Sequence, residues 1–195
     1  KEETWTRATI SNYTQNDLEQ LAGVIDQAKK ENAVSEIKAI CQEHLSHTKD
    51  SIIALYITGI LDVQESSLDN SSLETLVDIF QKNHKENIVV YLCESILHDD
   101  PNNKFALRTL AANYIAENND KVWDLYDKLV KIDFSEADLA KVLAEHYEAE
   151  GDTNTAIDYY KRAILRYVNA KNLTAIKEIW VKLVATIPAE IDFFQ

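Results

Sequence analysis

From Ala137 the chain reads ADLAKVLAEHYEAEGDTNTAIDYYKRAILRYV: Leu143-Ala144 and Tyr147, a turn at Gly151-Asp152, then Ala156, Tyr160 and Ala163. The order recurs 33 residues upstream, with Leu110-Ala111 and Tyr114 followed by Val122, Tyr126 and Leu129 and a turn shorter by one. A further 34 residues back stand Leu76-Val77 and Phe80, then Val89, Cys93 and Ile96, closing on Pro101. Each period holds two amphipathic segments of helical spacing around a polar turn. One such hairpin cannot bury its apolar stripe alone, so repetition implies that neighbours stack and share a core.

The spacings are similar to a tetratricopeptide unit, L-G-x2-Y followed by A-x3-F and a small residue. The small residues Ala144, Ala156 and Ala163 let two antiparallel helices approach closely, while the Tyr or Phe fills the hole between neighbouring pairs. The expected fold is therefore all-α, a right-handed α-solenoid of antiparallel helix pairs with about ten helices. It is read as a single domain over 1–195: a cap segment over 1–16, degenerate repeats over 17–69, three clearer repeats over 70–168, and a helix with the chain end over 169–195. Amphipathic helices are expected over 17–30, 33–46, 50–63 and 171–185, the last stopped before Pro188. Ser71-x-x-Glu74 and Ser135-x-x-Asp138 read as capping boxes, and Asn118-Asn119-Asp120 as a turn. Composition agrees, because 3 Gly and 2 Pro in 195 residues leave too few tight-turn residues for a sheet-rich fold and no Gly-rich phosphate loop.

Twenty Lys and Arg stand against 33 Asp and Glu, a net charge of −13. Nucleic-acid binding gains affinity by replacing phosphate counterions with basic side chains, so direct nucleic-acid contact is not expected and the implied partner is a protein or peptide. No apolar run is long enough to span a membrane and no signal core opens the chain, so a soluble, cytoplasmic location is expected. The chain begins at Lys1, lacks Met throughout and stops on apolar Ile191, Phe193 and Phe194, which reads as a piece of something longer.

The chemistry-bearing residues form no recognisable catalytic constellation, so the chain is read as no enzyme, with no cofactor and no metal. Cys41, His44 and His47 are three residues apart, about 9 Å from first to last along a helix, too far for one tetrahedral metal site. They read instead as a buried thiol above solvated histidines. Asp99-Asp100 before Pro101 reads as turn capping. Lys161, Arg162 and Arg166 read as a solvated basic stripe. The remaining candidate is a concave face lined by the first helix of each pair. Projection of the period places Glu74, Asp78, Phe105, Arg108, Ala112, Ile115, Asp138, Lys141, Glu145 and Glu148 there. Tetratricopeptide domains that hold acidic chaperone tails carry Lys, Asn and Arg on this face, whereas Glu74, Asp78 and Glu145 here favour a basic or apolar peptide.

The opening segment Trp5-Thr6-Arg7-Ala8-Thr9-Ile10-Ser11-Asn12-Tyr13-Thr14 sets a Trp and a Tyr eight apart in a polar run. It resembles the start of long bacterial Gre-type transcription elongation factors, in which a helical-repeat extension precedes a transcript-cleavage module. That resemblance implies a parent protein that binds RNA polymerase and rescues backtracked complexes with metal-holding carboxylates at a coiled-coil tip. The chain contains no such coiled coil, so no catalytic residue carries over. Two functions follow: a non-catalytic interaction scaffold acting with the transcription machinery, or a peptide-docking adaptor unrelated to transcription.

Overall fold

A computed structural model describes residues 18–65 and 69–186, which are all-α with no strand among them. The helices are α1 (Leu18–Lys30), α2 (Val34–His47), α3 (Ile52–Gln64), α4 (Asn70–Lys82), α5 (Glu86–Asp99), α6 (Lys104–Ala116), α7 (Val122–Ile132), α8 (Ala137–Ala149), α9 (Thr153–Asn169) and α10 (Leu173–Thr186). Every expected helix is present to within two or three residues at its ends. The expectations for Trp5–Thr14 and Pro188 fall outside the described residues. Two compact units divide the chain, Lys1–Ala106 and Leu107–Gln195, and the division falls inside α6.

The first unit is organised around α3. Its sequence IIALYITGILDVQ buries Ile52, Ile53, Ala54, Ile57, Ile60, Leu61 and Val63, so the helix is covered on nearly all sides and is not the one-faced amphipath its spacing implied. Gly59 lets α4 come close, since a Cβ there would meet Leu76 Cδ1 at 2.9 Å. Lys38 on α2 ties to the end of α3, at 2.9 Å from Asp62 and in contact with Glu65.

The second unit carries the sharpest repeat. Ala140, Ala144, Ala156 and Ala163 are buried along the α8–α9 seam, and Tyr159, Tyr160 and Tyr167 pack beside them. Seams built from alanine bring helix axes toward the short end of the 8–10 Å range, which is why the small residues recur. Two hydroxyls then fasten the hairpin. Tyr160, midway along α9, donates to Glu148, late in α8, at 2.7 Å, and Tyr167, late in α9, donates to Asp138, early in α8.

The turns repeat as faithfully as the helices. After α4, α6 and α8 one residue adopts positive φ: His84 (55°), Asn118 (54°) and Gly151 (83°). In each case the next N–H donates back to an aromatic carbonyl, Lys85 to Phe80 at 2.9 Å, Asn119 to Tyr114 at 2.8 Å and Asp152 to Tyr147 at 2.9 Å. These are Schellman caps, and the aromatic residue that marks the period also receives the closing hydrogen bond. The return turns repeat too: Asp100 Oδ1 accepts from Asn102 N at 3.3 Å and Asp133 Oδ1 from Ser135 N at 3.0 Å.

Three expectations need correction. The cap of α4 is Asp69, accepting from Ser72 N at 2.7 Å, and not Ser71; a carboxylate aimed at the helix N-terminus outcompetes a hydroxyl there. Ser135 does not cap α8, because its N–H and Oγ–H both bond Asp133 Oδ1. Arg166 is likewise no part of a solvated stripe. It is only 6% exposed, donates to the carbonyls of Val130 at 2.5 Å and Arg162 at 3.1 Å, and lies 4.9 Å from the Phe134 ring centroid. Its guanidinium thus caps the C-terminal end of α7, where a cation is favoured by the orphan carbonyls.

Two stability predictions follow. Ala156→Leu should cost roughly 1–3 kcal/mol by overpacking the α8–α9 seam, read as a lower midpoint in urea denaturation at an unchanged slope. Gly151→Ala should cost about 1 kcal/mol because of its positive φ, whereas His84→Gly should shift the midpoint upward, both measured by the same titration.

Candidate functional site

The projected face falls into two parts. In the first unit Glu74 and Asp78 are exposed on α4, with Asp78 paired to Lys82 at 2.6 Å, and Phe105 is half-buried at the start of α6. In the second unit α6 contributes Arg108, the small Ala112 and Ile115, which is 49% exposed. Helix α8 contributes Asp138, Lys141, Glu145 and Glu148 at helical spacing along one side.

Packing ties these second-unit charges to neighbours. Arg108 donates to Glu136 at 3.0 and 2.6 Å and to Asp133 at 2.7 Å, fixing its fork across the turn between α7 and α8. These hydrogen bonds, that to Glu136 first, hold the guanidinium even further above the usual range. Lys141 lies 3.6 Å from Glu178 on α10 and 4.0 Å from Glu145. Glu148 accepts from Lys182 on α10 at 2.7 Å as well as from Tyr160. Along this α8–α10 seam Asp138, Glu145, Glu148 and Glu178 outnumber Lys141 and Lys182, so the face keeps a net negative charge after pairing.

The Glu148 cluster is electrostatically tuned. The hydrogen bond from Lys182, then that from Tyr160, holds the Glu148 carboxyl below its ordinary value. Burial pushes the Tyr160 phenol up to about 12, with Glu148 adding and Lys182 opposing. Lys182 loses by partial burial but gains more from Glu148 and Tyr160, and its ammonium sits 5.2 Å from the Tyr160 ring centroid. A depression of about 30 Å³ beside this cluster, floored by Ala156 and Leu183, is too small for more than a water molecule or two.

A larger cavity lies in the first unit, on helices the projection did not use. It measures about 420 Å³ and is lined by Ile25 and Asp26 of α1, Tyr56, Ile60 and Gln64 of α3, and Asn87, Ile88 and Tyr91 of α5. Glu74 and Asp78 do not line it. Ile25, Ile60 and Ile88 are buried, Tyr91 is 41% exposed, and Asp26, Gln64 and Asn87 are exposed. Tyr56 is braced edge-on by the buried Phe80, with ring centroids 6.4 Å apart. The sequence signal was present: Tyr56 and Tyr91 are 35 residues apart (91 − 56), close to one period.

Cys41 is buried and its thiol is pushed up to about 12 by burial. His47 is exposed while His44 is half-buried with Nδ1 shielded, so His44 is less solvated than its spacing implied.

These features define a class: an all-α helical-repeat domain of tetratricopeptide-like hairpins, with an acidic face and a lateral cavity. The chain is 42% identical, over 185 residues and 95% of its length, to a Treponema pallidum (strain Nichols) protein named for GreA-associated domains. It is 32% identical over all 195 residues to the transcription elongation factor GreA of Borreliella burgdorferi. The resemblance to Gre-type factors therefore extends along the whole chain. The chain spans 28% and 21% of the lengths of these two relatives. No family model matches it. Among solved structures, MamA from Desulfovibrio magneticus RS-1 aligns with 80% of this chain and 98% of its own at a TM-score of 0.40 and 16% identity. YrrB, a TPR protein with an unusual peptide-binding site, aligns with 76% of this chain and 89% of its own at 0.38 and 14%.

The Glu148 cluster sets a pH dependence. Glu148 titrates lower folded than unfolded, so its contribution is complete above 4.5, its ordinary value, and is lost as pH falls through the folded value. Tyr160 is raised from 10.0 to about 12, so its neutral form stabilises the fold below 10 and that contribution is lost as pH rises through about 12. Glu148→Gln should make the acid limb of a thermal-melt-against-pH curve shallower, leaving a residual limb from Asp152, whose carboxyl is held low by Thr155.

Proposed function

We propose that the chain is a non-catalytic, cytoplasmic protein-interaction domain of a Gre-type elongation factor, and that it contacts RNA polymerase or a protein bound to it. The observation that carries this reading is the similarity, along the whole chain, to proteins named for GreA. The architecture is consistent with it, since helical-repeat hairpins present long side-chain surfaces and converge no nucleophile, base and oxyanion donor on one point. Among the described residues no helix is long and apolar enough to cross a membrane, and no three metal-ligating side chains cluster.

In this reading each unit has a contact surface of its own, the acidic side of α8 with Arg108 and Ile115 of α6 in the second unit, and Glu74, Asp78 and Phe105 in the first. Its partner is a basic or apolar segment, matched in charge to a chain carrying −13 overall. A second reading, a peptide-docking adaptor outside transcription, is favoured by the 420 Å³ cavity, which needs only a short segment as occupant.

Purified bacterial RNA polymerase should be retained by the immobilised chain, and Asp138→Lys with Glu145→Lys should reduce retention several-fold while helicity is unchanged. Retention equal to that of bare resin removes the transcription reading and leaves the adaptor.

A further inference from the structure

We infer that the cavity between α1, α3 and α5 receives an arginine side chain presented by a peptide segment of a partner protein. This rests on the reading of the chain as a protein-binding module, and it adds a site and a ligand chemistry to it.

The lining chooses the occupant. Three buried isoleucines form an apolar floor, Tyr56 and Tyr91 supply aromatic surface, and Asp26, Gln64 and Asn87 stand exposed around it. None of the eight lining residues is Lys or Arg, so among the described residues the cavity has one carboxylate and no cation. An aliphatic side chain would cover the isoleucines but would make no hydrogen bond to Asp26 or the two amides at the rim. An acidic side chain would meet Asp26 in a chain of net charge −13. Lysine supplies charge, but as a compact, strongly hydrated ammonium without a planar face.

Arginine satisfies each part of the lining at once. Its methylene stem packs on apolar surface, its guanidinium stacks on phenol rings, and its five N–H groups suit a carboxylate together with amide oxygens. The volume, about 420 Å³, is in the usual range for ligand cavities and exceeds one side chain, leaving room for the flanking backbone of a peptide. The brace from Phe80 positions Tyr56 before any ligand arrives, which lowers the ordering cost of binding.

The test uses the 195-residue chain and three peptides of one neutral framework, with a single central arginine, citrulline or leucine, followed by NMR. The arginine peptide should shift the side-chain amides of Gln64 and Asn87 and the ring signals of Tyr56 and Tyr91, and should bind about tenfold more tightly than its neutral citrulline isostere. Asp26→Asn should erase the difference between arginine and citrulline, and Tyr91→Leu should weaken the arginine peptide more than the leucine peptide. Both residues are exposed, so circular dichroism should show unchanged helicity. Equal binding of the three peptides, shifts confined to residues after 106, or no shift at millimolar peptide would overturn the proposal. Polymerase retention without an arginine-dependent shift would remove the pocket alone; the converse result would remove the transcription reading alone.

Discussion

Close approach of paired helices is the constraint from which the rest of the structure follows. An isolated helix of about 14 residues or fewer is marginal in water, and all the described helices but α9 are that short, so their stability comes from the apolar stripe each lays against a neighbour. In the second unit that contact depends on four buried alanines between α8 and α9, with tyrosines filling the space beside them. Once the axes are that close, the hydroxyls of Tyr160 and Tyr167 reach carboxylates on the facing helix. Packing thus comes first, and the polar contacts that fix the orientation of the hairpin depend on it.

The same geometry accounts for the turns. A hairpin with a fixed interaxial distance admits few connections, and among the described residues the chain uses this Schellman cap five times, built on Asn32, His84, Asn118, Gly151 and Lys171. Only one of the five, Gly151, is the residue that adopts positive φ freely. That His84 and Asn118 are held there shows that the flanking helix contacts outweigh a local backbone preference of about 1 kcal/mol. Arg166 belongs to the same account: its buried guanidinium is tolerated because it donates to the Val130 carbonyl at the end of α7 and to Arg162 on its own helix, and lies over Phe134.

The acidic character of the chain is organised by these contacts rather than spread evenly. Arg108 is committed to Asp133 and Glu136, and Lys182 to Glu148, so the cations nearest the projected face are used inside the fold. What pairing leaves on the face is a carboxylate excess. The cavity of the first unit carries the same sign on a different set of helices, through Asp26.

Alanine, aromatic and leucine positions at 33 and 34 residues were enough to establish the all-α class, the helix pairs and most helix limits, because helix burial depends on spacing along one chain and spacing is written in sequence. The sequence also placed Asp138, Lys141, Glu145 and Glu148 on one side of a helix, since 3.6 residues per turn decides that locally. What it did not contain was the identity of each charge's partner. Arg166 and Lys161 look alike as letters; only the arrival of Val130 and Phe134 from 36 and 32 residues away (166 − 130, 166 − 134) makes the arginine a buried cap. The cavity was equally out of reach, because Asp26, Tyr56 and Tyr91 belong to three helices and meet only once α1, α3 and α5 are side by side. Periodicity determined the elements and their buried stripes, whereas contacts between elements distant in sequence, which no local pattern encodes, decided which polar groups are spent on the fold and which stay exposed.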